Sequence, residues 1–555
     1  QPAASTSKKT TSTKPTVLPE VVVTGTRLPE GVPLSAQSID LDAAKARGTD
    51  GASMLANTPG AAILRNGPQT GIVQLHGLSG DRVKISIDGA TITPACPNHM
   101  DPPLHYASRG SMDTLAVMAG ITPVSQGGDS IAGTVIVRSP DPRFATAEEQ
   151  SIASAQMGSH FRSSNDGYGF SLKGSAASTG LAASYQGSWE RANDLRFPGG
   201  RVHATGFETM QHQILAAMRL GAGVLTVDTS YVRTRDSGTP TLPMDMIEDE
   251  GYRLGLRYTA THDFGTVEAR AYMHSIDHLM NNYSLRPLLP GSMPMESPAT
   301  SRDYGYSLGV SLPSGAHTLR LGTDFHRNEF DAYQRNMVTG ALQDTLHEAT
   351  RTRFGAYAEW QADWSKRWTS LIGVRNDTVV SDAANVTRFF PAAAADAAAF
   401  NARDHRFTDV NFDFTASTRF TPNDWSAYEL AFARKNRAPS LLERYLWTPL
   451  GANAGMADGR SYLGNPDLNS ETSYQVAFTA DYHGEKWQGK ATPFYNIVRD
   501  YIQGVPIARL VGGLPVLQYQ NVSRADLYGI DASFRYAFTE DFGLRGQVSY
   551  VRGVN

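Results

Sequence analysis

Soft metal-ligating residues crowd one short stretch of this 555-residue chain. The segment Thr93-Pro94-Ala95-Cys96-Pro97-Asn98-His99-Met100-Asp101-Pro102-Pro103 carries Cys, His and Met within five positions. A thiolate and a thioether are soft donors, a set that selects Cu(I) over Zn(II) or Fe(III). The flanking prolines stiffen the loop at small entropic cost. Cys96 is the only cysteine, so no intramolecular disulfide can form. It is either a buried small hydrophobe or a reactive thiol. Asp101 reads as merely solvated, and His99 and His105 as spare donors.

A second donor pair lies on a predicted strand. From Glu268 to Met280, one parity holds Glu268, Arg270, His274, His278 and Met280. The other holds Val267, Ala269, Ala271 and Met273. His278 and Met280 therefore present imidazole and thioether on one side, two residues apart. A Cys96/Met100 loop facing this strand would complete four soft ligands. Met244, Met246, Met293 and Met295 fall in predicted outer loops and are candidate secondary contacts.

These residues need elements to hold them. Residues 1–19 are rich in Ser, Thr, Lys and Pro and predict a disordered tail. Glu20-Val21-Val22-Val23-Thr24-Gly25-Thr26-Arg27 is a strand with no obvious sheet, suited to lending its backbone to a partner's sheet edge or to starting the next domain. Residues 28–143 predict a compact α+β domain. Asp40 and Asp50 cap helices at Leu41 to Arg47 and Ala52 to Asn57, and strands follow at Ile72 to Leu75, Val83 to Ile87 and Thr134 to Arg138. From residue 148 to 555 the chain alternates apolar and polar residues strand after strand. Tyr252, Leu254, Leu256 and Tyr258 share one face, and Arg253, Arg257 and Thr259 the other. A sandwich would turn the apolar face inward on short strands. A membrane barrel turns it outward on strands of about ten residues with aromatics near their ends. The length of the runs and the charged face favour the barrel. Long loops are predicted at Ser237 to Glu250, Pro287 to Arg302, Asp382 to Arg406 and Pro439 to Ser470.

Composition narrows the function. Lys plus Arg number 50 and Asp plus Glu 54, a net charge of −4, which offers no footprint for nucleic acid. No apolar run approaches the roughly 18 residues of a membrane helix. No nucleophile elbow, zincin helix or phosphate-binding loop is present, so no enzyme activity is expected.

In this order, several motifs resemble those of TonB-dependent outer-membrane transporters over nearly the whole chain. Glu20 to Arg27 resembles the TonB box, with Glu20, Val21, Val22, Val23 and Thr24 as the implied TonB contacts. Leu75-His76-Gly77 with Val83 to Gly89 resembles the plug core, and Gly127 to Gly133 with Thr134 to Val137 its closing motif. Arg437-Ala438-Pro439-Ser440, Gly464 to Leu468, Glu471-Thr472-Ser473 and Asn521 with Tyr528 to Asp531 resemble late barrel signatures. The resemblance implies a bacterial outer-membrane barrel of about 22 antiparallel strands with an N-terminal plug in its lumen. It also implies partnership with a TonB-type energy-coupling protein and lipid, and a monomeric state. Family members end on an aromatic closing strand, so the stop at Gly553-Val554-Asn555 predicts a C-terminally incomplete chain.

The family imports many cargoes, so local chemistry must choose. The Cys/Met loop with the His-x-Met strand resembles the OprC/NosA type of copper-importing receptor. That resemblance implies Cys96, Met100, His278 and Met280 as ligands and copper, favoured as Cu(I), as cargo. The alternatives are a siderophore, haem or other metal-chelate receptor of the same fold, and a non-transporting surface adhesin.

Overall fold

The computed structural model describes residues 33–45, 48–388, 391–539 and 541–555. The TonB-box-like segment, Glu20 to Thr24 included, lies outside the described residues.

The N-terminal body is mixed, as the local signals predict. Asp40 Oδ1 accepts the Ala43 N–H (3.2 Å) at the start of the helix Leu41–Lys45. Asp50 does the same for Ser53 (3.0 Å), but the turn it caps is a short 3-10 helix, Ala52–Leu55. A five-stranded sheet runs in the order Gln37–Ser38, Thr114–Ala119, Gly133–Arg138, Val83–Ile87 and Ala90–Thr91. Its last hairpin turns on Asp88 (φ 52°) and Gly89 (φ 85°), the paired positive φ angles that a type I′ turn demands. A second sheet joins Ala61–Arg65, Gly71–Leu75 and Leu78–Ser79.

From Ser151 onward, antiparallel strands pair neighbour to neighbour in one continuous sheet rolled into a barrel. Among the described residues this sheet has 18 strands, one of them the two-residue Tyr462–Leu463. The others run from 12 residues (Ser151–Arg162) to 25 (Trp487–Val511). Turns at one end are short, such as the link from Leu220 to Gly223, and links at the other are long, such as Arg437 to Glu471. Outer-membrane barrels have this asymmetry, with the long loops outside the cell.

Exposure settles which way the two faces point. Tyr252, Leu254 and Leu256 are 50%, 47% and 46% exposed, while Arg253 between them is 5% exposed. Apolar residues outside and charges inside suit a lipid-embedded barrel and would be ruinous in a sandwich. The inner charges dock the plug. Arg253 Nη2 reaches Asp88 of the plug (2.8 Å) and Asp228 of the wall (2.9 Å). Arg82 Nη2 reaches Glu471 Oε1 (2.7 Å), and Glu471 Oε2 also accepts from Arg437 Nε. Arg437 meets Glu443, which completes a capping box with Ser440 on the helix Leu441–Tyr445.

Two loop expectations need correcting. Strands Asp245–His262 and Met295–Ser314 have 18 and 20 residues, so they project beyond the bilayer core. Met246 and Met295 therefore lie on strands rather than in outer loops.

Candidate metal centre

The loop after Ala90–Thr91 lies against the strands Asp245–His262 and Gly265–Asn281, in the half of the barrel nearer the long loops. There Cys96, Met100, Met246 and Met280 form one buried cluster with Leu242, and Met244 packs on its edge. The Cys96 Sγ is 3.8 Å from Met280 Sδ. Met100 and Met246 are fully buried.

His278 sits two residues before Met280 on the same buried face. Its Nδ1 lies 3.0 Å from Asp249 Oδ1. Among the described residues its buried Nε2 has no nitrogen or oxygen partner, only the Cys96 sulfur alongside. A metal-ligating imidazole normally has its other ring nitrogen held by a carboxylate, as this one does.

The structure thus brings together Cys96, Met100, His278 and Met280, which the sequence singles out, and moves Met246 from a secondary loop contact into the same cluster. The move comes from backbone geometry. Met246 faces Met280 and Asp249 faces His278 across the strand pair, with a β-bulge between Met246 and Glu248. One extra residue reverses the alternation, so 246 and 249 both point inward. Strict parity would have put them on opposite faces. Met293 and Met295 do not join the cluster. Met293 is 44% exposed, and its Sδ is 3.1 Å from Asn336 Nδ2.

Asp101 is not a solvated carboxylate, as the sequence suggested, but the organiser of the loop. It is fully buried and accepts the N–H groups of Ala95 (2.7 Å) and Cys96 (2.9 Å). It also accepts the Tyr106 hydroxyl (2.9 Å), which reaches Asp249 on the wall as well (3.1 Å). Burial holds the Asp101 carboxyl above its usual range, against the opposing pull of His278. Asp101, Asp249 and His278 place ligand atoms within 4.8 Å of one another. His105 Nε2 lies 3.4 Å from Asp249 Oδ2, so it supports the wall carboxylate from behind. Burial alone would lower the His105 pKa, but Asp249 overrides it and raises the value. His99 is buried and faces a separate cavity, which also touches Cys96.

Chemically, the arrangement offers one cysteine sulfur, up to three thioethers and one oriented imidazole, dry and split between two bodies. Soft ions of the copper type fit that donor set. A cavity beside it measures about 170 Å³, below the roughly 300–1,000 Å³ of sites for drug-sized ligands.

Comparison with known proteins agrees with this architecture. The curated Ferrienterobactin receptor of Escherichia coli (strain K12) is 25% identical over 175 residues, 26% of this chain. The match spans only 24% of that receptor's length. Among solved structures, the copper transporter OprC superposes with a TM-score of 0.80 at 22% identity, covering 94% of this chain and 81% of its own. The siderophore receptor PirA from Pseudomonas aeruginosa gives 0.65 at 14%, covering 94% and 85%. The Serratia marcescens hemophore receptor HasR gives 0.72 at 14%, covering 93% and 81%. At these identities the likeness is one of fold. The family model for the TonB-dependent receptor plug domain matches residues 29–134, and that for the TonB-dependent receptor-like β-barrel matches residues 156–555. The chain belongs to the TonB-dependent receptors, outer-membrane proteins of Gram-negative bacteria.

Proposed function

We propose that this receptor imports copper, held between plug and barrel by Cys96, Met100, His278 and Met280. The observation that carries the reading is the 3.8 Å approach of Cys96 Sγ to Met280 Sδ in a buried cluster, with the buried His278 Nε2 turned to Cys96 beside it. Sulfur donors in a dry site favour Cu(I). Met246 adds a third thioether, and Met244 stands at the edge of the cluster.

The cycle follows from the split. Copper is captured at the contact between loop and wall. A TonB-type partner engages Glu20 to Thr24 and pulls. The plug loop then draws Cys96 and Met100 away from His278 and Met280, and the ion leaves towards the periplasm.

A siderophore or haem cargo is the second reading, supported by the sequence match to a ferrienterobactin receptor. It calls for a wide aromatic or basic pocket rather than a compact sulfur cluster. Metal content by mass spectrometry on purified protein separates the two readings. Stoichiometric copper that resists washing with a Cu(I) chelator in wild type, and is lost to that wash in both Cys96→Ser and Met280→Ala, is the expected result. Copper absent from wild type, or indifferent to both changes, would overturn the copper reading in favour of the organic chelate.

A further inference from the structure

His99 adjoins Met100 in sequence yet serves a different space. Its φ of 48° lies in the left-handed region, uncommon for residues other than Gly, Asn and Asp. Non-glycine residues held there gather at functional sites, because surrounding structure must stabilise them. The backbone N–H of His99 bonds to Cys96 O (2.9 Å). The residue is 6% exposed, and no hydrogen bond or ion pair to its imidazole is found among the described residues. That imidazole lines the 170 Å³ cavity, which Cys96 also touches.

The barrel contributes a second imidazole to the same cavity. His326 Nε2 lies 3.0 Å from Asp303 Oδ1, which leaves its Nδ1 as the donor for a ligand. Asp303 Oδ2 accepts the Thr93 N–H (2.8 Å), so one carboxylate steadies both this imidazole and the start of the Cys96 loop. At roughly 30 Å³ per water, the space holds a handful of waters or a partly hydrated ion. Two of the three Lys and Arg side chains in its walls are neutralised, and no ion pair to the third, Lys84, is found among the described residues. Arg351 pairs with Asp129 (2.7 Å), and Arg353 with Asp324 and Asp377.

We propose that this cavity is a second station on the ion's path, where His99 of the plug and His326 of the barrel take a copper-type ion leaving Cys96. The proposal rests on the copper reading above. Imidazole accepts copper but is less soft than thiolate and thioether. Two such donors hold the ion less tightly than the sulfur cluster, so it can move on once the cluster has been pulled apart.

The test uses purified protein loaded with Cu(I) under reducing conditions, with copper content and X-ray absorption as readouts. Cys96→Ser protein is expected to keep a weaker copper whose spectrum shows nitrogen and no sulfur neighbours. Adding His99→Asn should remove it, and Asn tolerates the positive φ, so the loop keeps its backbone. His99→Asn alone should leave the resting copper in place and slow uptake by cells several-fold. Residual copper that shows sulfur, or that survives His99→Asn, overturns the second station, as does Cys96→Ser protein holding no copper. Failure of the copper reading shows separately, as wild type without copper.

Discussion

Asp249 and His278 face each other across two neighbouring strands, Oδ1 to Nδ1 3.0 Å, with both side chains fully out of solvent. In the neutral ring that donates from Nδ1 to this carboxylate, the lone pair falls on Nε2, towards Cys96. Carboxylates behind metal-bound histidines typically govern affinity by 10- to 100-fold. Asp249→Asn should therefore weaken copper binding by about that factor while leaving the donors in place. A competition titration with a Cu(I) chelator measures it, and unchanged affinity would show that the pair is only structural.

Met246 separates packing from ligation. Met246→Leu keeps the apolar volume, and such swaps usually cost under about 1.5 kcal/mol. If its sulfur binds the ion, copper affinity falls while the melting temperature barely moves. Met244→Leu, at the edge of the cluster, should have a smaller effect. Equal affinities for wild type and Met246→Leu would remove Met246 from the donor set.

Asp101→Ala should loosen the loop before it touches the rest of the fold. It strands the amides of Ala95 and Cys96, each at a cost of about 1–3 kcal/mol. Faster hydrogen exchange at those two amides, with the barrel unchanged, is the expected pattern. Protection that persists at both would mean that other groups hold the loop.

Lys84 gives the plug a pH dependence. Burial, with the nearby Arg353 and Arg375 adding to it, holds the Lys84 ammonium down at about 7, against the partial relief of Asp324 and Asp377. A lysine lowered in the folded state binds fewer protons there than in the unfolded chain. Stability should therefore rise with pH from about 7 to the ordinary lysine value near 10.4. Below 7 the full penalty applies. Thermal midpoints in detergent between pH 6 and pH 9 measure the slope, and Lys84→Met should flatten it. A slope unchanged in that variant would assign the effect to other groups.

The sequence carried the barrel because its signal repeats, with polar and apolar residues exchanging faces along every strand. It also carried Cys96, Met100, His278 and Met280, whose spacings are short and lie within single elements. Met246 was legible only as a secondary contact in an outer loop, because the bulge before Glu248 breaks the period-two rule and no residue there announces it. Asp101 and Asp249 were hidden for another reason. In a wet barrel, inward carboxylates are ordinary, and only the fold shows that these two are dry and shared by Tyr106. The helix Leu41–Lys45 was legible from its Asp40 cap. The turn at Ala52–Leu55 proved shorter than its pattern, and Asp50, which also accepts the Gly71 N–H (2.8 Å), ties it to a strand.

The division of donors between two bodies has a thermodynamic consequence. While plug and wall are docked, each half presents its ligands to the other at a high effective concentration, and a multidentate site gains its tightness from that. Separation by a few ångströms abolishes the gain at once and leaves two half-sites, neither of which needs to be strong. In the copper reading proposed above, the ion would then be let go without protonating, oxidising or replacing any ligand. Mechanical work on the chain would in that reading be converted directly into a change of affinity.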